Sequence, residues 1–319
     1  MTLSWLTTRP NIPAHKNSDQ FMLPHSHIEQ ASGEFPVALT PTLILAALLY
    51  SRGWIQLRSD PANVAPNWRA TSFLLGLFLV WTALGSPLAK YDHSLLTAHM
   101  VKHLILMTIA PAMILLGEPL KAFWKGMPLH ARNVLGRASQ RPFVHRFART
   151  LTAPALCWTV SALTLIGWHL PALFTLSVTS VLWHAIQQAM FFGSGLLFWW
   201  PVVQPWPTAS PGPKWSILLY LFLATLPCDI LSGFLVFSDR VAYPVYFSAP
   251  RVFGFSVLED QQCAAALMWT CITLVYLVPA AIISTKLLAP RTPPVRHTKR
   301  PQLAGGVAPQ SDSKGLEVV

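Results

Sequence analysis

The sequence predicts an all-α fold: a polytopic membrane helix bundle of about seven transmembrane helices. Of the 319 residues, 53% are hydrophobic and only 11% are charged, whereas soluble globular domains carry roughly 25% charged residues. A helix needs about 20 mostly apolar residues to cross a bilayer. The runs that meet this need are 37–57, 70–88, 95–117, 151–173, 180–203, 215–238 and 261–288. We therefore expect contact with the lipid bilayer, and the net charge of +11 does not indicate a nucleic-acid partner.

The residues at the ends of these runs fit a position at the membrane surface. Arg52 lies near the end of the first run, where a long side chain can extend its charge to the interface. Trp54 closes the same run, Trp199 closes the fifth, and Trp215 opens the sixth. Tryptophan and tyrosine are enriched at both membrane interfaces, so these positions support the predicted boundaries.

The apolar runs divide the chain into three parts. Residues 1–36 are polar and lack the apolar core of a cleavable signal peptide, which predicts a polar periplasmic N-terminal tail. Residues 37–288 form the predicted seven-helix transmembrane domain. Residues 289–319 are rich in Pro, Gly and charge, which predicts a disordered cytoplasmic tail.

The distribution of Lys and Arg predicts the orientation. With Arg52 and Lys286 assigned to the nearer flank and Lys102 of the third run left out, seventeen of these residues lie in the first, third and fifth connections and in the C-terminal flank, whereas five lie on the other side. Cytoplasmic loops carry the excess of Lys and Arg. The sequence therefore predicts that the N-terminus is outside and the C-terminus is in the cytosol.

The third run contains the most informative motif of the chain. His99, His103 and Met107 follow one another at i, i+4 and i+8, so on a regular helix they share one stripe, with Met100 beside them. An ionisable residue inside the bilayer is costly and usually functional. Imidazole and thioether together suit copper. The motif predicts a metal site in which His99 and His103 are the primary ligands.

Other polar residues fall on the same predicted outer side. We interpret His184 as a third ligand, Met100 or Met107 as exchangeable ligands, and the remaining residues as groups that support the ligands or line the approach to them. Structural alternatives stay open. Asp260 and Gln261 can be helix caps. Asp229 can pair with Lys102 or hydrogen-bond to the backbone, and Met107 can be a packing residue. The supporting residues are His93, His169, Gln188, Asp229, Asp260 and Gln261.

Four blocks of the sequence resemble the seven-span CtaG family of cytochrome c oxidase assembly factors. They are AHMVKHLILMTIAPAMILLGEPL, GWHLPALF, LWHAIQQAMFFGSGLLFWWPVV and the pair SDRVAYPVYFSAPR and LEDQQCAAALMW. The motif positions that carry over are His99, Met100, His103, His169, His184, Asp260 and Gln261. The chain departs from the family pattern at Gln188, where a second histidine is frequent.

The resemblance implies a protein that helps to mature a haem–copper oxidase, at the copper-delivery step, in a bacterial inner membrane. It implies oxidase subunits as partners, copper as the cofactor and no enzymatic activity. Two alternatives use the same residues: a b-type haem electron carrier with histidine axial ligands, and a small-solute or proton transporter. Hydrolysis is not expected, because neither HExxH nor GxSxG occurs in the sequence.

Overall fold

The computed structural model describes residues 25–59, 66–86, 91–205, 213–250 and 253–289, and the regular secondary structure in these ranges is helical. It comprises helices α1–α12, a five-residue π turn and a 3-10 segment, and the remaining described residues are turns and loops. The predicted tail residues 1–24 and 290–319 lie outside the described ranges. The helices are α1 His25–Arg58, α2 Asn67–Gly85, α3 Leu96–Leu104, α4 Ala110–Leu116, α5 Pro119–Gly126, α6 Leu129–Ser139, α7 Pro142–Leu151, α8 Pro154–His169, α9 Pro171–Thr179, α10 Val181–Val203, α11 Lys214–Val236 and α12 Val257–Leu288.

Five segments of the described chain are long and apolar enough to cross a membrane, or six if the bent pair α7 and α8 counts as one span. The protein is therefore a helical membrane protein. Not all of the seven predicted runs, however, form a single helix that is long and apolar enough to cross the membrane. The exceptions are α8, which has only 16 residues, and α10, which carries His184, Gln187 and Gln188. The five segments are Ala38–Arg58, Asn67–Gly85, Leu96–Leu116, Trp215–Val236 and Val257–Leu288.

The third predicted span is a helix with a π turn in its middle. Helix α3 leads into the π turn Ile105–Ile109, and α4 continues from Ala110 to Leu116. The Ala110 amide donates to the Ile105 carbonyl, five residues back. Pro111 follows directly and has no amide hydrogen, so it cannot form a regular helical bond. The wider turn shifts the helical register, and residues beyond Ile105 leave the stripe of His99 and His103.

Two glycines allow close helix packing. A Cβ atom on Gly195 of α10 would lie 2.4 Å from the Met107 carbonyl oxygen, so α10 packs its backbone against the π turn. A Cβ atom on Gly53 of α1 would lie 1.8 Å from the Ala122 carbonyl oxygen of α5. The first contact holds α10 against the third predicted span. The second holds the C-terminal end of α1, which the sequence predicts to be cytosolic, against α5.

The end of the bundle that lies away from the α1–α5 contact, which we call the histidine end, is built from three parts. They are the loop 91–95, the junction of α8, α9 and α10, and the loop 237–250. Asp260 joins two helices there: its carboxylate accepts hydrogen bonds from the amides of Leu96 (2.6 Å) and Thr97 (3.1 Å) at the start of α3. Tyr243 donates its hydroxyl to the His169 carbonyl (3.0 Å), and Tyr246 to the Asp92 carbonyl (2.9 Å). These bonds fix the positions of the side chains described next.

Candidate functional site

The side chains of His99 and His103, which we call the histidine pair, lie together in the interior. Their ring centroids are 4.2 Å apart with an interplanar angle of 65°, as expected for residues four apart on one helix. His99 is 0% and His103 5% exposed. Among the described residues, none of the four ring nitrogens has a hydrogen-bond partner.

Aromatic rings enclose the histidine pair. The Phe174 ring of α9 lies 5.1 Å from the His99 ring, and the Phe191 ring of α10 lies 4.2 Å from the His103 ring. These neighbours offer no lone pair or strong donor. Since a buried polar group without a partner costs about 1–3 kcal/mol, the pair has nitrogen atoms available to hold a metal ion.

Met100 and His169 meet beside the histidine pair. The His169 Nε2 atom lies 3.5 Å from the Met100 sulfur, and the His103 and His169 ring centroids are 6.5 Å apart. The His169 Nδ1 atom lies 2.7 Å from the Leu165 carbonyl oxygen, a contact in which only Nδ1 can donate. The neutral ring therefore presents the Nε2 lone pair to the thioether, and both atoms can serve as soft-metal ligands.

A second group, which we call the charged cluster, comprises Asp92, His93, Lys102 and His184. The Lys102 ammonium forms an ion pair with the Asp92 carboxylate, and its Nζ lies 2.8 Å from the His184 Nε2 atom. The His184 Nε2 atom is 3.3 Å from Asp92 Oδ2, and the His93 Nε2 atom is 3.4 Å from Asp92 Oδ1. Opposite charges thus neutralise each other in the interior.

The electrostatics of the loop residues follow from this arrangement. Burial raises the pKa of Asp92, but the neighbouring His184 side chain and the Lys102 charge outweigh it and hold this pKa well below its usual range. Burial lowers the pKa of His93, which keeps this ring neutral near neutral pH. Asp92 is therefore an anion, and His93 can offer a lone pair.

The structure places His184 differently from its predicted position as a third ligand. The His99 and His184 ring centroids are 6.0 Å apart, and His184 lies with Asp92 and His93. Within the described ranges, these three form the only group of three or more His, Cys, Asp or Glu residues whose ligand atoms all lie within 4.8 Å of one another. The ligand atoms of the predicted set, His99, His103 and His184, do not all lie within this distance of one another.

Other predicted positions also differ from expectation. Met107 leaves the stripe because of the π turn and lines a small cavity with Cys228 and Tyr276. Lys102 pairs with Asp92, so the alternative in which Asp229 pairs with Lys102 is wrong. Gln188 is buried in α10. The Asp229 Oδ1 atom is buried without a partner among the described residues.

Asp260 and Gln261 have structural roles. Asp260 caps α3 rather than its own helix. The Gln261 Oε1 atom accepts from the Ala242 amide (2.7 Å), and its Nε2 donates to the Arg240 carbonyl (3.2 Å). Asp260 is therefore a helix cap, but of α3 and not of α12, whereas Gln261 bonds to the loop between α11 and α12.

Sequence reasoning missed three side chains at this end of the bundle. Asp92 and Lys102 form an ion pair only because the lysine side chain adopts one particular conformation, and the sequence gives no signal for that conformation. Gln187 is fully buried, and both of its side-chain polar atoms lack a partner within the described residues. Its position beside Gln188 in an apolar run was the available signal.

The fold and the site define a class: helical membrane proteins with buried histidines near one end of the bundle. Residues 48–289 match the family described as cytochrome c oxidase caa3 assembly factor (Caa3_CtaG). The match covers most of the chain, so the protein belongs to this family. The family relates it to the assembly of cytochrome c oxidase, and this confirms the resemblance seen in the sequence.

Two relatives are uncharacterised proteins, one from Mycobacterium bovis and one from Mycobacterium tuberculosis. Each is 23% identical over 249 residues, which are 76% of this chain and 37% of the relative. The chain thus spans little more than a third of their length. No solved structure matches the chain.

Proposed function

We propose that the protein handles copper, or delivers it, during assembly of a haem–copper oxidase at the periplasmic side of a bacterial inner membrane. The observation that carries the proposal is the histidine pair: two adjacent imidazoles, fully or almost fully buried, whose four nitrogens have no partner in the described part of the chain. Copper bound by His99 and His103 would supply the missing partners. The family adds the oxidase as the client.

The surrounding donors favour copper that can be released. Met100 and His169 lie beside the pair and offer a thioether and an imidazole, a combination that suits the cuprous ion. The two buried cysteines contact other groups, Cys157 the Leu151 carbonyl and Cys228 the Ser232 hydroxyl. A site without a closed set of four thiolates suits transfer to an oxidase subunit.

The proposal includes seven spans with the N-terminus outside. In this arrangement α10 is a span whose polar residues face the bundle, and the short α8 spans together with a neighbouring helix. The uneven distribution of Lys and Arg supports the orientation. A C-terminal alkaline phosphatase fusion should be inactive and a C-terminal fluorescent protein bright; the reverse would overturn the orientation.

A deletion strain tests the function. We expect the oxidase subunits to be synthesised but to lack copper, with activity partly restored by added copper. The wild-type gene and the His130→Ala variant, which alters an exposed histidine of α6, should both complement the strain, whereas the His99→Ala/His103→Ala variant should not. Normal oxidase copper in the deletion strain would refute the proposal. A haem absorption band in the purified protein would favour the electron-carrier alternative.

A further inference from the structure

The charged cluster has the geometry of a metal site that is separate from the histidine pair. The ligand atoms of Asp92, His93 and His184 all lie within 4.8 Å of one another. The side chain of Asp92 is 2% exposed, whereas those of His184 and His93 are 13% and 33% exposed. The group therefore has a buried anionic ligand and two imidazoles nearer to the surface.

Lys102 already places a positive charge among these ligands. Its Nζ contacts Asp92 Oδ2 and lies 2.8 Å from the His184 Nε2 atom. An ammonium group has three donors and no acceptor, so the lone pairs of both atoms face it. A metal ion held by the same two atoms would need the position that the ammonium occupies.

We propose that Asp92, His93 and His184 form a second metal-binding position, which takes a divalent transition-metal ion, and that the Lys102 ammonium competes with the metal for it. One carboxylate and two imidazoles are ligands that such ions accept. When the metal binds, the Lys102 ammonium must leave Asp92. This position goes beyond the proposed copper site, because it uses none of the atoms of His99, His103, Met100 or His169.

The competition predicts an unusual effect of removing a lysine. Lys102→Met deletes the competing charge and leaves the three ligands in place. We expect the affinity for Co²⁺ to rise by about tenfold or more, because the ion no longer displaces a charge-assisted hydrogen bond. Lys102→Gln, which keeps a donor for Asp92 but not the charge, should act in the same direction. Lys121→Met, which removes a lysine paired with Glu118 elsewhere in the chain, is the matched control and should leave the affinity unchanged.

The experiment is a Co²⁺ titration of the purified full-length protein, followed by visible absorption. It is repeated in a His99→Ala/His103→Ala background, so that the histidine pair cannot contribute. Adding His184→Gln should abolish the gain from Lys102→Met. In the protein with Lys102 intact, the same spectrum should appear at higher Co²⁺ concentration and should be lost in His184→Gln.

Three results would overturn the proposal: no tighter binding in either Lys102 variant, a gain that survives His184→Gln, or no His184-dependent spectrum at any Co²⁺ concentration when Lys102 is intact. Binding that persists without the histidine pair supports the second position even if the deletion strain has normal oxidase copper. Co²⁺ binding thus tests the second position, whereas oxidase copper in the deletion strain tests the proposed function, and either can fail without the other.

Discussion

The histidine pair and Lys102 of the charged cluster lie on the same two turns of α3, yet their buried polar atoms are satisfied to different extents. Lys102 lies between His99 and His103 in sequence, but it reaches Asp92 and His184 and forms an ion pair. The histidine pair contacts rings that cannot satisfy its nitrogens. The Lys102 ammonium and the Asp92 Oδ2 atom are paired with each other, although Asp92 Oδ1 and His184 Nδ1 have no hydrogen-bond partner among the described residues. In the histidine pair all four ring nitrogens lack a partner among these residues, and an added ion could provide one.

The difference between the two groups predicts that substitutions in them have different consequences. Removing one member of a buried ion pair leaves an uncompensated charge in the interior, which is strongly destabilising. Removing an unpartnered imidazole breaks no hydrogen bond. We therefore expect substitutions in the charged cluster to affect the folded protein most, and substitutions in the histidine pair to affect bound metal most.

The largest effect on stability is expected for Asp92→Ala. This change leaves the buried Lys102 ammonium without its anion, and the free energy of unfolding should fall by about 3–5 kcal/mol. Thermal unfolding of the purified protein in detergent measures the effect. Asp239→Ala, in an exposed part of the same end of the bundle, is the control. Equal unfolding temperatures for the two variants would show that the ion pair does not contribute to stability.

A smaller effect is expected for Asp260→Ala. The carboxylate accepts three hydrogen bonds from Leu96 and Thr97 at the start of α3, and losing a helix cap costs about 0.5–2 kcal/mol. Because the cap positions the helix that carries both groups, bound copper should also decrease. Glu259→Ala, which removes an exposed cap of α12, should destabilise the protein less. The same unfolding measurement compares the two, and a larger effect for Glu259→Ala would contradict the cap on α3.

The smallest effect on stability is expected when phenylalanine replaces His103 of the histidine pair. His103→Phe keeps a flat aromatic ring, slightly larger than imidazole, against Phe191 and removes the two nitrogens, so the free energy of unfolding should change by less than about 1.5 kcal/mol. The variant should nevertheless lose bound copper. A large loss of stability would mean that His103 has a structural partner, and the contrast between the two groups would fail.

The helical bundle could be predicted from the sequence because long apolar runs dominate it. The π turn could not, since it depends on Pro111 and on the close packing of Gly195 in α10 against the Met107 carbonyl. This local change removes Met107 from the stripe that regular i, i+4, i+8 spacing predicts. The span count was also harder to predict, because polar residues in α10 reduce its apolar character.

The histidine pair was predictable because residues four apart on a helix must be neighbours. The charged cluster was not, because a lysine side chain has many conformations and Asp92 lies in a loop. The cap that Asp260 places on α3 could not be predicted either, since it joins residues 164 positions apart in sequence. Asp260 was noticed as polar, but only the packing of α12 against α3 gives it a partner.

The copper content of four purified proteins tests the central claim most directly: the wild type, His99→Ala, His103→Ala and the double variant. Two ligands of one ion act as a unit, so each single variant should lose most of the copper and the double variant little more. All four should reach the membrane at similar levels, as shown by blotting, because alanine makes the span more apolar. Single variants that retain full copper and full oxidase activity would contradict the claim. Variants that are lost from the membrane would instead show that the two histidines are structural.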